Sequence, residues 1–116
     1  MTKTLGSIAL LAAIASLSSV EGAKAAQLRT AVFAGGCFWS VEKAMEKLPG
    51  VTDVVSGYSG GDRRNPTYQN HEGHLEAVKV TYDPARISYA KLVDGFFHNI
   101  DPTDAGGQIC DRGHAY

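Results

Sequence analysis

Apolar residues recur along this chain with two periods, and the switch between them marks its elements. From Leu75 to Tyr82 the pattern alternates. Glu76, Val78, Val80 and Tyr82 fall on one face of an extended segment, and Leu75, Ala77, Lys79 and Thr81 on the other. Tyr89, Leu92, Val93, Phe96, Phe97 and Ile100 instead repeat at helical spacing. They predict a helix over 88–100 with Ser88 as N-cap and the aromatic side chains in the core. Val41, Ala44, Met45 and Leu48 predict a second helix over 40–48, charged on its other face and stopped by Pro49-Gly50. Segments 30–34 and 51–56 read as short strands. Gly57, Gly60, Gly61 and Pro66 mark 57–66 as a loop, and a second loop covers 101–107. No internal repeat is present. The expected class is α+β, with a small mixed sheet from 30–34, 51–56 and 75–82 and both helices packed on it.

The N-terminus follows neither period. Leu5 to Leu17 is an uncharged apolar run after Lys3, and Ala23-Lys24-Ala25 supplies small residues at cleavage spacing. This predicts a secretory signal peptide over 1–25 and an exported, periplasmic protein. The run is short for a membrane span, which needs about 20 residues, so no stable insertion is expected after cleavage. An uncleaved anchor is the competing reading. About 90 residues would remain, one small domain.

Composition narrows the function classes. Hydrophobic residues are 44% of the chain, as in an ordinary globular domain. Eleven basic and 12 acidic side chains, less Lys3, Lys24 and Glu21, leave 9 against 11 after the leader. That mild acidity gives no nucleic-acid footprint. Two cysteines, Cys37 and Cys110, are too few for a disulfide scaffold and form no Cys-x-x-Cys pair, yet they suffice for a redox couple.

The candidate chemistry centres on Gly35-Gly36-Cys37-Phe38-Trp39, between a strand and a helix. Glycines permit a sharp turn there. A cysteine at a helix N-terminus meets free N–H groups and the macrodipole, which favour the thiolate. The structural alternative is a buried cysteine between core aromatics. Glu76 shares its strand face with Val78, Val80 and Tyr82. Burial of that face would favour the protonated carboxyl that a general acid needs. The alternative is a strand-end carboxylate in solvent or paired with an arginine. His71 with His74, and Cys110 with His114, invite a metal reading, but their spacing does not fit a structural zinc site, so loop histidines and no metal are expected.

Seven motifs stand in order along the chain: Gly36-Cys37-Phe38-Trp39, Leu48-Pro49-Gly50-Val51, Gly57-Tyr58-Ser59-Gly60-Gly61, Asn65-Pro66-Thr67-Tyr68, Gly73-His74-Leu75-Glu76, Tyr82-Asp83-Pro84 and Asp101-Pro102-Thr103. Together they closely resemble the peptide methionine sulfoxide reductase A family, from Thr30 to Tyr116. The resemblance implies a two-layer α/β sandwich of ferredoxin-like type. It implies thiol-dependent reduction of the S epimer of methionine sulfoxide, free or in proteins, with no bound cofactor. Cys37 matches the nucleophile that becomes a sulfenic acid, and Glu76 the acid that protonates the sulfoxide oxygen. Tyr68 and Tyr116 match the phenols that bind that oxygen. Phe38 and Trp39 match the wall for the substrate methyl group, and Asp111 matches an aspartate that helps orient the site. His74 carries no catalytic role. The implied partners are oxidised proteins or peptides and an external reductant, a thioredoxin-like protein or dithiothreitol. The chain is expected to act as a monomer.

Two departures stand out. The segment between Tyr68 and Gly73 is shorter than in many members and lacks a cysteine some carry there. Members usually continue past the position of Tyr116, so residues 26–116 are expected to be a C-terminally truncated domain. Cys110, the only second thiol, is a candidate to resolve the sulfenic acid as a disulfide with Cys37; the other reading makes it structural and leaves resolution to an external thiol. Two further functions remain distinguishable: a general thiol–disulfide or peroxide-reducing enzyme, and an inert remnant of the family.

Overall fold

The computed structural model describes residues 27–116; the leader expected over 1–25 lies outside them. In chain order the elements are β1 (Arg29–Phe33), α1 (Phe38–Met45), β2 (Val51–Ser59), β3 (Leu75–Tyr82), α2 (Tyr89–Phe97), β4 (Gly107–Gln108) and β5 (Asp111–Arg112).

Strand β3 is central because its alternating face has the most to bury. It lies between β1 and β2 in the order β1-β3-β2. Phe33 and Ser56 pair with Val78 from the two sides, and Ala31 and Val54 with Val80. Glu76, Val78, Val80 and Tyr82 are all buried, as the alternation predicts. Thr52 is accommodated by a register shift between Val51 and Asp53. Strands β1 and β2 run in the same direction but do not touch. Every hydrogen-bonded pair of the sheet is antiparallel, and the parallel relation of a mixed sheet exists only across β3. A β-α-β unit split in this way is the ferredoxin-like arrangement.

Both helices cover one face. Val41 and Met45 of α1 and Leu92 and Phe96 of α2 meet Phe33, Val54, Val78 and Val80 in one core. The Phe33 and Phe96 rings lie 4.8 Å apart. Met45, Leu92, Val78 and Val80 are fully enclosed, each side chain contributing about 1.5–3 kcal/mol of burial. Val32 and Val55 are exposed on the opposite face. The chain is thus a two-layer α+β sandwich. No helix among the described residues is long and apolar enough to cross a membrane.

Several boundaries differ from the sequence reading. Strand β2 continues through Gly57 to Ser59, because its ladder with β3 runs on to Ser59–Leu75 and overrides the weak strand preference of glycine. Helix α1 begins at Phe38, and α2 ends at Phe97. Ser88 does cap α2, accepting from Lys91 N at 3.1 Å. Tyr89 and Phe97 are exposed instead of packed, since the contact stripe of so short a helix is narrower than its apolar arc. The segment after residue 101 contains the small β4–β5 hairpin, which no period announces.

Candidate active site

The Cys37 turn is shaped by close packing on both sides. A Cβ on Gly35 would lie 2.6 Å from the Phe96 ring, and one on Gly36 would lie 2.4 Å from Gln108 Cγ. Gly36 also takes φ +89°, a conformation that favours glycine. Gln108 is fixed above it, its Oε1 accepting from Asp101 N at 2.8 Å and its Nε2 donating to Asp101 O at 2.7 Å. The turn delivers Cys37 to the N-cap of α1 with no side-chain cap hydrogen bond. Its carbonyl accepts from Ser40 N and Val41 N at 3.1 and 3.2 Å, and its thiol is free and half-buried.

Phe38 N–H is one of the donors that a helix start leaves unpaired. It donates to Glu76 Oε2 at 2.9 Å. Glu76 is 2% exposed, so the strand face has buried the carboxyl beside the cysteine turn. The main chain of the same residue reaches the other way: Glu76 N–H donates to Ala115 O at 2.8 Å. That bond holds the segment ending in Tyr116, whose own N–H donates to Gly113 O.

The aromatic side chains gather around this pair. Phe38 is buried, while Trp39 and Tyr68 are exposed and stacked on each other at 5.6 Å and 10°. Tyr68 lies in a turn closed by reciprocal main-chain hydrogen bonds between Thr67 and Asn70. Tyr116 is pushed above the usual tyrosine range, first by the Glu76 charge, then by desolvation, Tyr68, Asp111 and Cys37. Cys37, Glu76, Tyr68, Tyr116 and Asp111 therefore share one electrostatic neighbourhood, with Phe38 and Trp39 on its border. Of the residues expected at the site, Phe38, Trp39, Tyr68 and Glu76 are joined by these contacts, Cys37 adjoins Phe38 in the chain, Tyr116 adjoins the Ala115 that bonds Glu76 N–H, and Asp111 lies on β5.

Cys110 is on the β4–β5 turn, two residues beyond the Gln108 that covers Gly36. Its thiol is free and exposed. Among the described residues no group of three or more His, Cys, Asp or Glu could hold a metal ion.

Two residues were missed. His74, expected among loop histidines, is buried. Its Nδ1 accepts from Gly61 N at 3.2 Å, which leaves the ring proton on Nε2 to donate to Arg63 O at 3.1 Å. This clips the 60–64 loop to the start of β3. Gly61 is needed for it, since a Cβ there would lie 2.4 Å from the imidazole. Tyr58 stands directly opposite Glu76 in the β2–β3 ladder. The signal for it was its position in a hairpin register, which is set only once β2 is known to run past Gly57.

The assembly can bind an oxygen acceptor with phenols, protonate it from a buried carboxyl and attack beside it with sulfur. Residues 29–116 match the family profile described as peptide methionine sulfoxide reductase. The chain is 53% identical over 96 residues to peptide methionine sulfoxide reductase MsrA 2 of Rhizobium meliloti, an alignment covering 81% of this chain and 48% of that protein. It is 52% identical over 110 residues to peptide methionine sulfoxide reductase MsrA 2 of Caulobacter vibrioides, covering 90% of this chain and 56% of that one. The solved structure of methionine sulfoxide reductase A of Corynebacterium diphtheriae matches with a TM-score of 0.73 at 34% identity, over 77% of this chain and 44% of that one. The chain spans about half the length of these relatives.

Proposed function

Because the chain belongs to the peptide methionine sulfoxide reductase A family, we propose that it reduces the S epimer of methionine sulfoxide, free or in proteins, to methionine. The observation that carries this reading is the Phe38 N–H···Glu76 Oε2 bond of 2.9 Å, which sets a buried carboxyl beside the Cys37 turn. Cys37 sulfur attacks the sulfoxide sulfur while Glu76 gives its proton to the oxygen. The sulfur–oxygen bond and the transient bond between the two sulfurs both break as the protonated oxygen passes, as hydroxyl, to Cys37. Methionine leaves reduced by two electrons, and Cys37 is left oxidised as a sulfenic acid. Tyr68 and Tyr116 hold the oxygen, phenols being donors without fixed charge. Asp111 helps orient Tyr116.

Phe38 and Trp39 face the substrate methyl group. Exchanging methyl and oxygen would strand the phenols and the acid, which is the basis of the epimer preference. Cys110 then attacks the sulfenic acid, water leaves, and a Cys37–Cys110 disulfide forms. The exposure of Cys110 and its place on the hairpin next to the cysteine turn support this over a structural role. An external dithiol, a thioredoxin-like protein or dithiothreitol, returns both sulfurs to thiols with two electrons and two protons. The leader expected over 1–25 supports a periplasmic location, and we place the enzyme there as a monomer acting on oxidised exported proteins.

The test is turnover. Protein with dithiothreitol is offered peptides carrying each epimer of methionine sulfoxide, and methionine is quantified. Conversion of the S peptide alone is expected. Peroxide consumption without sulfoxide turnover would make it a general thiol peroxidase, and a folded protein inert toward both would make it a remnant.

A further inference from the structure

Tyr58 has no part in the scheme above, yet it is built into the site. It pairs directly with Glu76 across the β2–β3 ladder, and opposed residues of antiparallel strands present their side chains on one face with Cβ atoms about 4.5–5.5 Å apart. Its ring is held on two sides, by Phe38 at 5.4 Å and by His71, stacked at 4.7 Å and 15°. His71 is fixed in turn by a 3.1 Å contact between its Nδ1 and Thr67 O. Ring packing alone would be served equally well by phenylalanine. The hydroxyl is buried and has no hydrogen-bond partner among the described residues, an unfavourable arrangement for a polar group. Burial, then Glu76, Tyr68 and Tyr116, raise the hydroxyl above the usual tyrosine range, so it is a donor that keeps its proton.

Glu76 has the complementary shortage. Among the described residues its side chain accepts a single hydrogen bond, from Phe38 N. Once the proton has passed to the sulfoxide oxygen, an enclosed carboxylate remains, and a buried charge needs more than one donor. We propose that Tyr58 is a positioning residue for the acid, its hydroxyl donating to the Glu76 carboxylate as that charge develops. The hydroxyl that is idle at rest thus stabilises the conjugate base, and the acid yields its proton more readily. The inference rests on the reductase reading and adds to it a residue that acts through Glu76 without touching substrate.

The experiment is a double-mutant cycle on the full chain, read by single-turnover methionine formation from an S-sulfoxide peptide. Tyr58→Phe is expected to slow that step about tenfold to a hundredfold while peptide affinity and melting temperature hold or improve. In a Glu76→Gln background, where no carboxylate forms, the same change is expected to cost nothing more. An equal fractional loss in both backgrounds would assign Tyr58 to packing or to the oxygen itself and overturn the proposal. So would an unchanged rate in Tyr58→Phe alone. Should Tyr58→Phe fail to fold, 3-fluorotyrosine at position 58 keeps ring and hydroxyl, and its stronger donor is expected to speed the step; an unchanged rate overturns the idea. Wild-type protein that leaves the S peptide unreduced sinks the activity reading instead, so the two failures are told apart.

Discussion

Replacing Glu76 by glutamine isolates proton transfer from architecture. The carboxyl is 2% exposed and holds Phe38 N–H at 2.9 Å. Glutamine has the same shape, and its amide oxygen can accept the same bond, so stability is expected to change by no more than about 1 kcal/mol. An amide can also donate to the sulfoxide oxygen, which preserves ground-state binding. It cannot deliver a proton. General acid catalysis contributes about 10²–10⁴ in rate, equivalent to about 2.7–5.4 kcal/mol of barrier, so the reductive step should slow by that factor with peptide affinity nearly unchanged. Glu76→Ala is the contrasting perturbation. It strands a buried N–H and opens a cavity, and should cost about 3–5 kcal/mol of stability. The assay is rapid mixing of excess protein with S-sulfoxide peptide, quenching, and chromatographic counting of methionine, with thermal melts of each variant. A Glu76→Gln protein that melts normally and reacts within about threefold of wild type would refute the acid assignment.

Three other substitutions probe separate parts of the argument. Gly36→Ala places a methyl 2.4 Å from Gln108 Cγ at φ +89°; strain and overpacking together should cost about 2–5 kcal/mol, and an unchanged melting curve contradicts that contact. Cys110→Ser should leave the Cys37 sulfenic acid standing after one turnover without reductant, detected as a dimedone adduct by mass spectrometry. Wild-type protein should instead lose water to the disulfide, and equal dimedone labelling of both removes Cys110 from the cycle. Asp101 is held below the usual carboxylate range, chiefly by the Thr103 hydroxyl at 2.6 Å and then by Thr103 N–H at 2.9 Å. A lowered value means its ionised form contributes stability above the ordinary carboxylate range and loses it as pH falls through the lowered value. The melting deficit of Asp101→Asn should therefore be present at neutral pH and close in acid, and a pH-independent deficit would refute the ionic contribution.

How much of this could be read beforehand depended on where each residue's partners lie. The period of β3 carried both its limits and its buried face, because alternation is a local property and Glu76, Val78, Val80 and Tyr82 had to share one side. The cysteine turn was legible for the same reason: glycines, nucleophile and helix start are contiguous. The extension of β2 through Gly57 was not, since its ladder belongs to β3. Nor was the burial of His74, which depends on Gly61 and Arg63 folding back over it. The exposure of Phe97 reflects which arc of α2 meets the sheet, and a two-residue strand such as β4 has no period to show. For the site, residue chemistry nominated Cys37 and Glu76 separately. Their meeting was implied by the family resemblance and is visible only in the fold, where Phe38, next to Cys37, bonds Glu76 across 38 positions.

Glu76 also explains a local oddity at the cysteine. Serine, threonine, aspartate and asparagine stabilise N-caps because their oxygens accept from the first free amides, and losing such a cap typically costs about 1 kcal/mol. Cys37 occupies the N-cap and makes no side-chain cap bond. Sulfur is a weak acceptor, and a thiol engaged in capping would be a poorer nucleophile. The helix obtains its acceptor from a distant strand instead: Glu76 takes Phe38 N–H. The same residue, through its own N–H to Ala115 O, pins the segment that ends in Tyr116. Capping the helix, placing the acid and docking a phenol are thus one set of contacts on one residue. Both of its anchors are main-chain groups, an amide and a carbonyl, which survive ordinary side-chain substitution at positions 38 and 115. The position of Glu76 is therefore set by strand pairing and by the helix start, while the Trp39–Tyr68 stack beside it is exposed.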